Sequence, residues 1–193
     1  MKINNLQPFS LNEYPGEICA VVFTQGCNFD CKYCFNPELK PEEQPEGNSL
    51  DMEEVLGILK GKKERLTAVS ITGGEPLEQS DLIEFLAELK NMDFKVKLNT
   101  NGSYNMRLKS MIDYNLIDFI RMDIKAPPDK YEDVICCPVR IDDINDSIKL
   151  IKKAGIDHEF YTVMDKDVLD DKDIEKIREW IKDDKNYKVG EKK

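Results

Sequence analysis

Cys27, Cys31 and Cys34 stand four and three residues apart in the stretch Cys27-Asn28-Phe29-Asp30-Cys31-Lys32-Tyr33-Cys34. Thiolates are soft ligands, and three on one short loop suit either an iron–sulfur cluster or zinc. Both kinds of site normally take four protein ligands, and no fourth cysteine lies nearby. Zinc would need completion from Cys136, Cys137 or His158. Cys136 and Cys137 are adjacent, however, and cannot chelate as a Cys-x-x-Cys knuckle does. Iron–sulfur is the stronger reading, and it leaves one iron open to a substrate or cofactor.

Three further stretches hold groups that could serve such a site. Gly73-Gly74-Glu75-Pro76 pairs two glycines, which let a ligand approach the backbone, with a carboxylate suited to a cationic amine. The same residues also read as an ordinary tight turn. Asn99 and Asn101-Gly102 read as turn residues at least as well as ligands. Asp123 and Lys125 alternate with Met122 and Ile124, so both face one side of a strand, as cavity groups or as a structural ion pair. Cys19 reads as core packing, Trp180 likewise, and His158, with no serine or cysteine nucleophile motif to serve, as structural.

The elements that must position these groups alternate. Strands are expected at Ile18 to Phe23, Ala68 to Ile71, Phe94 to Leu98, Phe119 to Ile124 and His158 to Met164, with a remnant sixth at Tyr187-Lys188-Val189. A Pro/Glu-rich connection over Pro37 to Gly47 leads to a helix from about Ser49, with Met52, Val55, Leu56 and Leu59 on one stripe. Further helices are expected from Ser80 or Asp81, over Asn105 to Tyr114, along Ile141, Ile144, Ile148 and Ile151 with Gly155 as C-cap, and around Ile174, Ile177, Trp180 and Ile181. Pro127 and Pro128 open a segment expected to be irregular as far as Pro138. Strands alternating with helices imply parallel βαβ units and an α/β fold. On that map the cysteine loop and the three polar stretches all lie at the C-terminal ends of strands, where barrels and open α/β sheets build their sites.

The chain has 193 residues, 40% hydrophobic and 34% charged, which is the make-up of one globular domain spanning 1–193. Its net charge of -10 argues against a nucleic-acid partner. The N-terminus lacks the apolar core of a signal peptide, and no apolar run approaches a membrane span. A cytoplasmic location is therefore expected, with the six cysteines as reduced metal ligands or bystanders.

Cys27-x3-Cys31-x2-Cys34, with Tyr33 before the last cysteine, resembles the radical SAM signature, and Gly73-Gly74-Glu75-Pro76 resembles that superfamily's second motif. Tyr14-Pro15-Gly16, the run Phe23 to Phe29, Asn36-Pro37, Asn99-Thr100-Asn101-Gly102 and Met122-Asp123-Ile124-Lys125 narrow the likeness to glycyl-radical-enzyme activases, of the archaeal type serving anaerobic ribonucleoside-triphosphate reductase. The resemblance spans roughly Phe9 to Trp180. It implies a partial (β/α)6 TIM-like barrel, shortened at its C-terminal end, with a 4Fe–4S cluster on Cys27, Cys31 and Cys34. It further implies S-adenosylmethionine on the open iron, cleaved reductively to a 5′-deoxyadenosyl radical that abstracts a Cα hydrogen from a glycine of the partner. The implied partners are a glycyl radical enzyme, anaerobic ribonucleotide reductase, and a low-potential donor such as ferredoxin or flavodoxin.

By the same resemblance, Gly73, Gly74 and Glu75 bind the methionyl amino group, Tyr33 lies near the adenine, Asn99 near the ribose, and Asp123 with Lys125 near the sulfonium or carboxylate. A small-molecule radical SAM enzyme and a non-catalytic iron–sulfur protein are the alternatives. Three departures stand out: Phe35 where activases often carry histidine, Phe160-Tyr161-Thr162 where an arginine is expected in the fifth strand, and a C-terminus that stops soon after Val189.

Overall fold

Short apolar runs become the strands of a single sheet in the computed structural model, which describes residues 1–42 and 50–191. Six strands run parallel: β2 (Cys19–Thr24), β3 (Ala68–Gly73), β4 (Lys95–Thr100), β5 (Phe119–Asp123), β6 (Asp157–Met164) and β7 (Tyr187–Glu191). An additional strand, β1 (Ile3–Ser10), pairs antiparallel with β2. Strand order follows chain order from β1 to β7, and among the described residues these two end strands do not pair. The sheet is therefore an open, partial barrel.

The helices are α1 (Met52–Lys60), α2 (Leu82–Asn91), α3 (Asn105–Asp113), α4 (Tyr131–Ile135), α5 (Ile141–Lys153) and α6 (Asp171–Trp180). In α2, Leu82, Phe85, Leu86 and Leu89 recur at helical spacing and are all fully buried against the sheet. α6 opens on a capping box: the Asp170 carboxylate accepts from the Asp173 N–H at 2.9 Å, and the Asp173 carboxylate accepts from the Asp170 N–H at 3.0 Å. No helix among the described residues is long and apolar enough to cross a membrane.

β5 shows how the sheet sorts its side chains. Ile120, Met122 and, just beyond the strand, Ile124 are fully buried beneath the helices, while the alternate residues Phe119, Arg121, Asp123 and Lys125 remain part-exposed on the concave face.

The structure departs from the sequence expectations at three places. β1 was not foreseen because Asn4, Asn5, Gln7 and Pro8 break the apolar alternation, which an edge strand tolerates. The segment expected to be irregular contains a 3-10 turn, Pro128–Lys130, running into α4; proline fits a first helical turn because its missing N–H is an orphan there anyway. The last strand is five residues long and pairs with β6 from Tyr187 to Glu191. A helix start at Ser49, and the part of the Pro37 to Gly47 connection beyond residue 42, lie outside the described residues; α1 is described from Met52, with the Asp51 carboxylate accepting from the Glu53 N–H.

Candidate active site

A cavity of about 370 Å³ opens at the C-terminal strand ends. Cys27, Cys31, Cys34 and Tyr33 line it together with Gly73, Gly74, Asn99, Asp123 and Lys125. Of the site residues read from the sequence, Glu75 alone is absent from the wall.

The cysteine loop has no helix of its own and is held by its neighbours. Gly26 and Cys27 donate their N–H groups to the carbonyls of Leu39 and Lys40 at 2.9 and 3.1 Å. Asp30 and Lys32 donate to the carbonyls of Ile135 and Val134 at 3.0 and 3.1 Å. Those two carbonyls end α4 and lack intrahelical donors, so the loop and the helix terminus satisfy each other. Burial pushes the Cys27 thiol up to about 12 and raises Cys31 as well, so without metal both thiols stay protonated and a cation must displace the protons.

The donor set fits a cluster better than a single ion. Among the described residues no three Cys, His, Asp or Glu side chains converge closely enough to hold one metal ion, as tetrahedral zinc requires. A cube of four irons keeps its thiolates farther apart, and three thiols on one cavity wall leave its fourth iron open. The other candidates for a zinc site lie off the wall. His158 hydrogen-bonds the Ile156 carbonyl at 3.1 Å and stacks edge-on against Phe160. Cys136 is an exposed left-handed cap on α4, and Cys137 donates its thiol to the Asn28 carbonyl at 3.5 Å.

The two glycines are required by the chain itself. A Cβ on Gly74 would fall 1.9 Å from the Gly26 carbonyl oxygen, and one on Gly73, at φ +117, would fall 2.3 Å from the Thr24 nitrogen. Close backbone packing thus joins this strand end to the base of the cysteine loop. Glu75 is fully buried beneath it. One carboxylate oxygen accepts from the Leu77 N–H at 3.0 Å and the Thr100 hydroxyl at 2.7 Å, and the other accepts from the Asn101 N–H at 2.7 Å. Burial pushes its pKa up to about 7 against the pull of these donors. Its carboxylate is a latch between the ends of β3 and β4, not a free ligand.

The remaining wall is polar. Tyr33 is buried, with its hydroxyl donating to the Lys125 carbonyl. Asn99 Oδ1 is buried with no hydrogen-bond partner among the described residues, an acceptor that a ligand hydroxyl or N–H would satisfy. Lys125 donates to Asp123 at 2.8 Å. Burial opposes both charges, but their mutual attraction wins: the Lys125 ammonium is held well above its usual value and the Asp123 carboxyl below. Arg121 also lines the cavity, and the sequence reading passed over it. Extending the Asp123–Lys125 alternation back by two residues would have found it.

Residues 21–181 match the radical SAM superfamily. The chain belongs to that superfamily. Radical SAM enzymes use a 4Fe–4S cluster and S-adenosylmethionine, the cofactor pair for which the three thiols and the open iron leave room. This radical SAM chain is 31% identical over 192 residues to a Methanocaldococcus jannaschii protein provisionally named a glycyl-radical enzyme activating enzyme, covering 97% of this chain and 78% of that one. It is 35% identical over 117 residues to a Thermoplasma acidophilum 7-carboxy-7-deazaguanine synthase, covering 61% of this chain and 52% of the other. The crystal structure of Streptococcus suis SuiB bound to S-adenosylmethionine shares the fold, with a TM-score of 0.68 at 20% identity over 86% of this chain and 38% of that one.

Proposed function

We propose that this radical SAM enzyme is an activating enzyme for a glycyl radical enzyme, with an anaerobic ribonucleotide reductase as its partner. The observation that carries this reading is the likeness to an activase-named relative along 97% of the chain. When bound, the cofactors supply an electron that cleaves the sulfonium, giving methionine and a 5′-deoxyadenosyl radical able to take a Cα hydrogen from a glycine.

The chain's own part is to hold and orient. Cys27, Cys31 and Cys34 hold the cluster. The backbone of Gly73 and Gly74 meets the methionyl amino group, and Glu75 fixes that backbone through Asn101 and Thr100. Tyr33 would lie beside the adenine, the unpartnered Asn99 oxygen would accept from the ribose, and the Asp123–Lys125 pair would flank the sulfonium or carboxylate. The open sheet admits a loop of the partner to the cavity mouth. A low-potential ferredoxin or flavodoxin delivers the electron, and residues 1–193 act as one cytoplasmic domain.

The test is anaerobic. The protein is reconstituted with iron and sulfide and given S-adenosylmethionine, dithionite and an anaerobic ribonucleotide reductase. 5′-Deoxyadenosine that requires all three cysteines, together with a glycyl radical signal in electron paramagnetic resonance, supports the reading. A second reading, favoured by the likeness to 7-carboxy-7-deazaguanine synthase, is a small-molecule substrate. It predicts 5′-deoxyadenosine without any glycyl radical on the partner. A well-formed cluster that yields no 5′-deoxyadenosine would leave a non-catalytic iron–sulfur protein.

A further inference from the structure

We propose that the outer edge of β7 takes up the glycine-bearing segment of the partner enzyme as an added strand, through the outward backbone groups of Val189 and Glu191. The inference rests on the activase reading and says how that partner is held.

Register fixes which backbone groups are available. The Phe160 N–H donates to the Asn186 carbonyl at 3.2 Å, and β6 and β7 then pair without a shift from Phe160–Tyr187 to Met164–Glu191. Backbone groups point to alternate sides along a strand, so Lys188 and Gly190 turn theirs to β6 while Val189 and Glu191 turn theirs away. β7 ends the sheet, and among the described residues no strand lies beyond it.

The two ends of the sheet are treated differently. A bare edge is a template for another chain, and proteins blunt it with bulges, proline, charge or cover. β1 has register shifts between Ile3 and Asn5 and between Gln7 and Ser10, and it contains Pro8. Leu50 also bridges to it, donating its N–H to the Ile3 carbonyl at 3.0 Å. β7 has no shift, no proline and no cover among the described residues. Its lysine, Lys188, is drawn onto Glu159, and Val189 at its middle leaves an apolar side chain 37% exposed.

The place of this edge points to its occupant. Gly190 pairs with Val163, which lines the cavity. A strand added beyond β7 continues the sheet into the gap between β7 and β1, and every second residue of it faces inward. Glycine at such a position offers its Cα hydrogen with no side chain in front of it. Main-chain pairing supplies affinity with little demand on side chains, which suits a segment whose reactive residue has none. A second copy of this chain paired along the same edge is the competing occupant.

Binding and radical transfer are measured side by side. The reconstituted, unreduced protein is titrated with anaerobic ribonucleotide reductase, and the glycyl radical is read by electron paramagnetic resonance after S-adenosylmethionine and dithionite are added. Val189→Pro removes one outward N–H and leaves the pairing with β6 intact, a change that an edge strand tolerates. It is expected to weaken the complex by roughly 10-fold or more, the worth of a main-chain hydrogen bond with the added intrusion of the ring. Radical yield should fall with it, while 5′-deoxyadenosine formed without the reductase stays at the wild-type level. Val189→Ala keeps the N–H and should bind as wild type does. Glu191→Pro removes the next outward N–H and replaces Val189→Pro if that variant has a lowered thermal midpoint. Unchanged binding in the proline variant, or equal weakening by alanine and proline, overturns the proposal. So does a wild-type dimer that the proline variant turns into a monomer, which would give the edge to a second copy. If wild type raises no glycyl radical on the reductase, the activase reading fails and takes this proposal with it. If wild type and the proline variant raise it equally, the proposal alone fails.

Discussion

Replacing Glu75 by glutamine isolates the latch beneath the cavity. Glu75 has no solvent exposure, and its pKa is raised from 4.5 to about 7. An acid whose folded-state value is raised holds a proton that the unfolded chain has already released. Its contribution to stability is fully present below pH 4.5 and is lost as the pH climbs through 7. At roughly 1.4 kcal/mol per pH unit, the move from 4.5 to about 7 is worth about 3 kcal/mol. Glutamine mimics the neutral acid and cannot ionise. The stability difference between the two proteins should therefore shift in favour of Glu75→Gln by about 2.5 kcal/mol between pH 5 and pH 8. Urea denaturation of the cluster-free chains at fixed ionic strength measures it, and background titrations common to both proteins cancel. A difference that stays constant from pH 5 to pH 8 would refute the reasoning, and would mean that the Leu77, Thr100 and Asn101 donors keep the carboxylate ionised throughout.

Gly74→Ala should cost about 3 kcal/mol or more, at the top of the overpacking range, because the new methyl meets the Gly26 backbone at 1.9 Å; a normal urea midpoint would rule out the close approach. Cys31→Ala should lose almost all reconstituted iron, whereas Cys137→Ala should keep it, since Cys137 does not line the cavity; iron and sulfide assays on the two variants separate ligand from neighbour. Leu86→Ala should lower stability by about 2–5 kcal/mol through the cavity it opens behind the sheet, with affinity for S-adenosylmethionine unaltered; a matched fall in affinity would show that α2 positions the site directly.

Sequence periodicity sufficed where one face of an element is uniformly apolar. Ala20 to Val22, Val69 and Ile71, and the α2 stripe declare themselves, and with them the parallel order that brings the cysteine loop, the glycine pair and the asparagine turn to one rim. It failed where an element is stabilised from outside. β1 is an edge strand with polar residues on its open side, and α4 is a helix too short to show a period. Glu75 could be read as a ligand because its partners, Thr100 and Asn101, lie a whole strand–helix unit away. Arg121 shares the face of Asp123 and Lys125 by the same alternation, but a lone arginine carries no motif, and the Tyr161 ring and the neighbouring carboxylates are what fix its direction.

That strand order matches chain order bears on how the molecule assembles. Every strand from β2 onward pairs with the one made immediately before it, so sheet growth closes one crossover at a time and never waits for a segment beyond the next strand. During synthesis the cysteine loop and the glycine pair emerge first, and the Glu75 carboxylate finds the Asn101 N–H as soon as β4 has followed. The thiol side of the cavity is complete only later, once α4 has supplied the Val134 and Ile135 carbonyls that hold Asp30 and Lys32. Cluster loading therefore waits for α4, although its three thiols are among the first residues made.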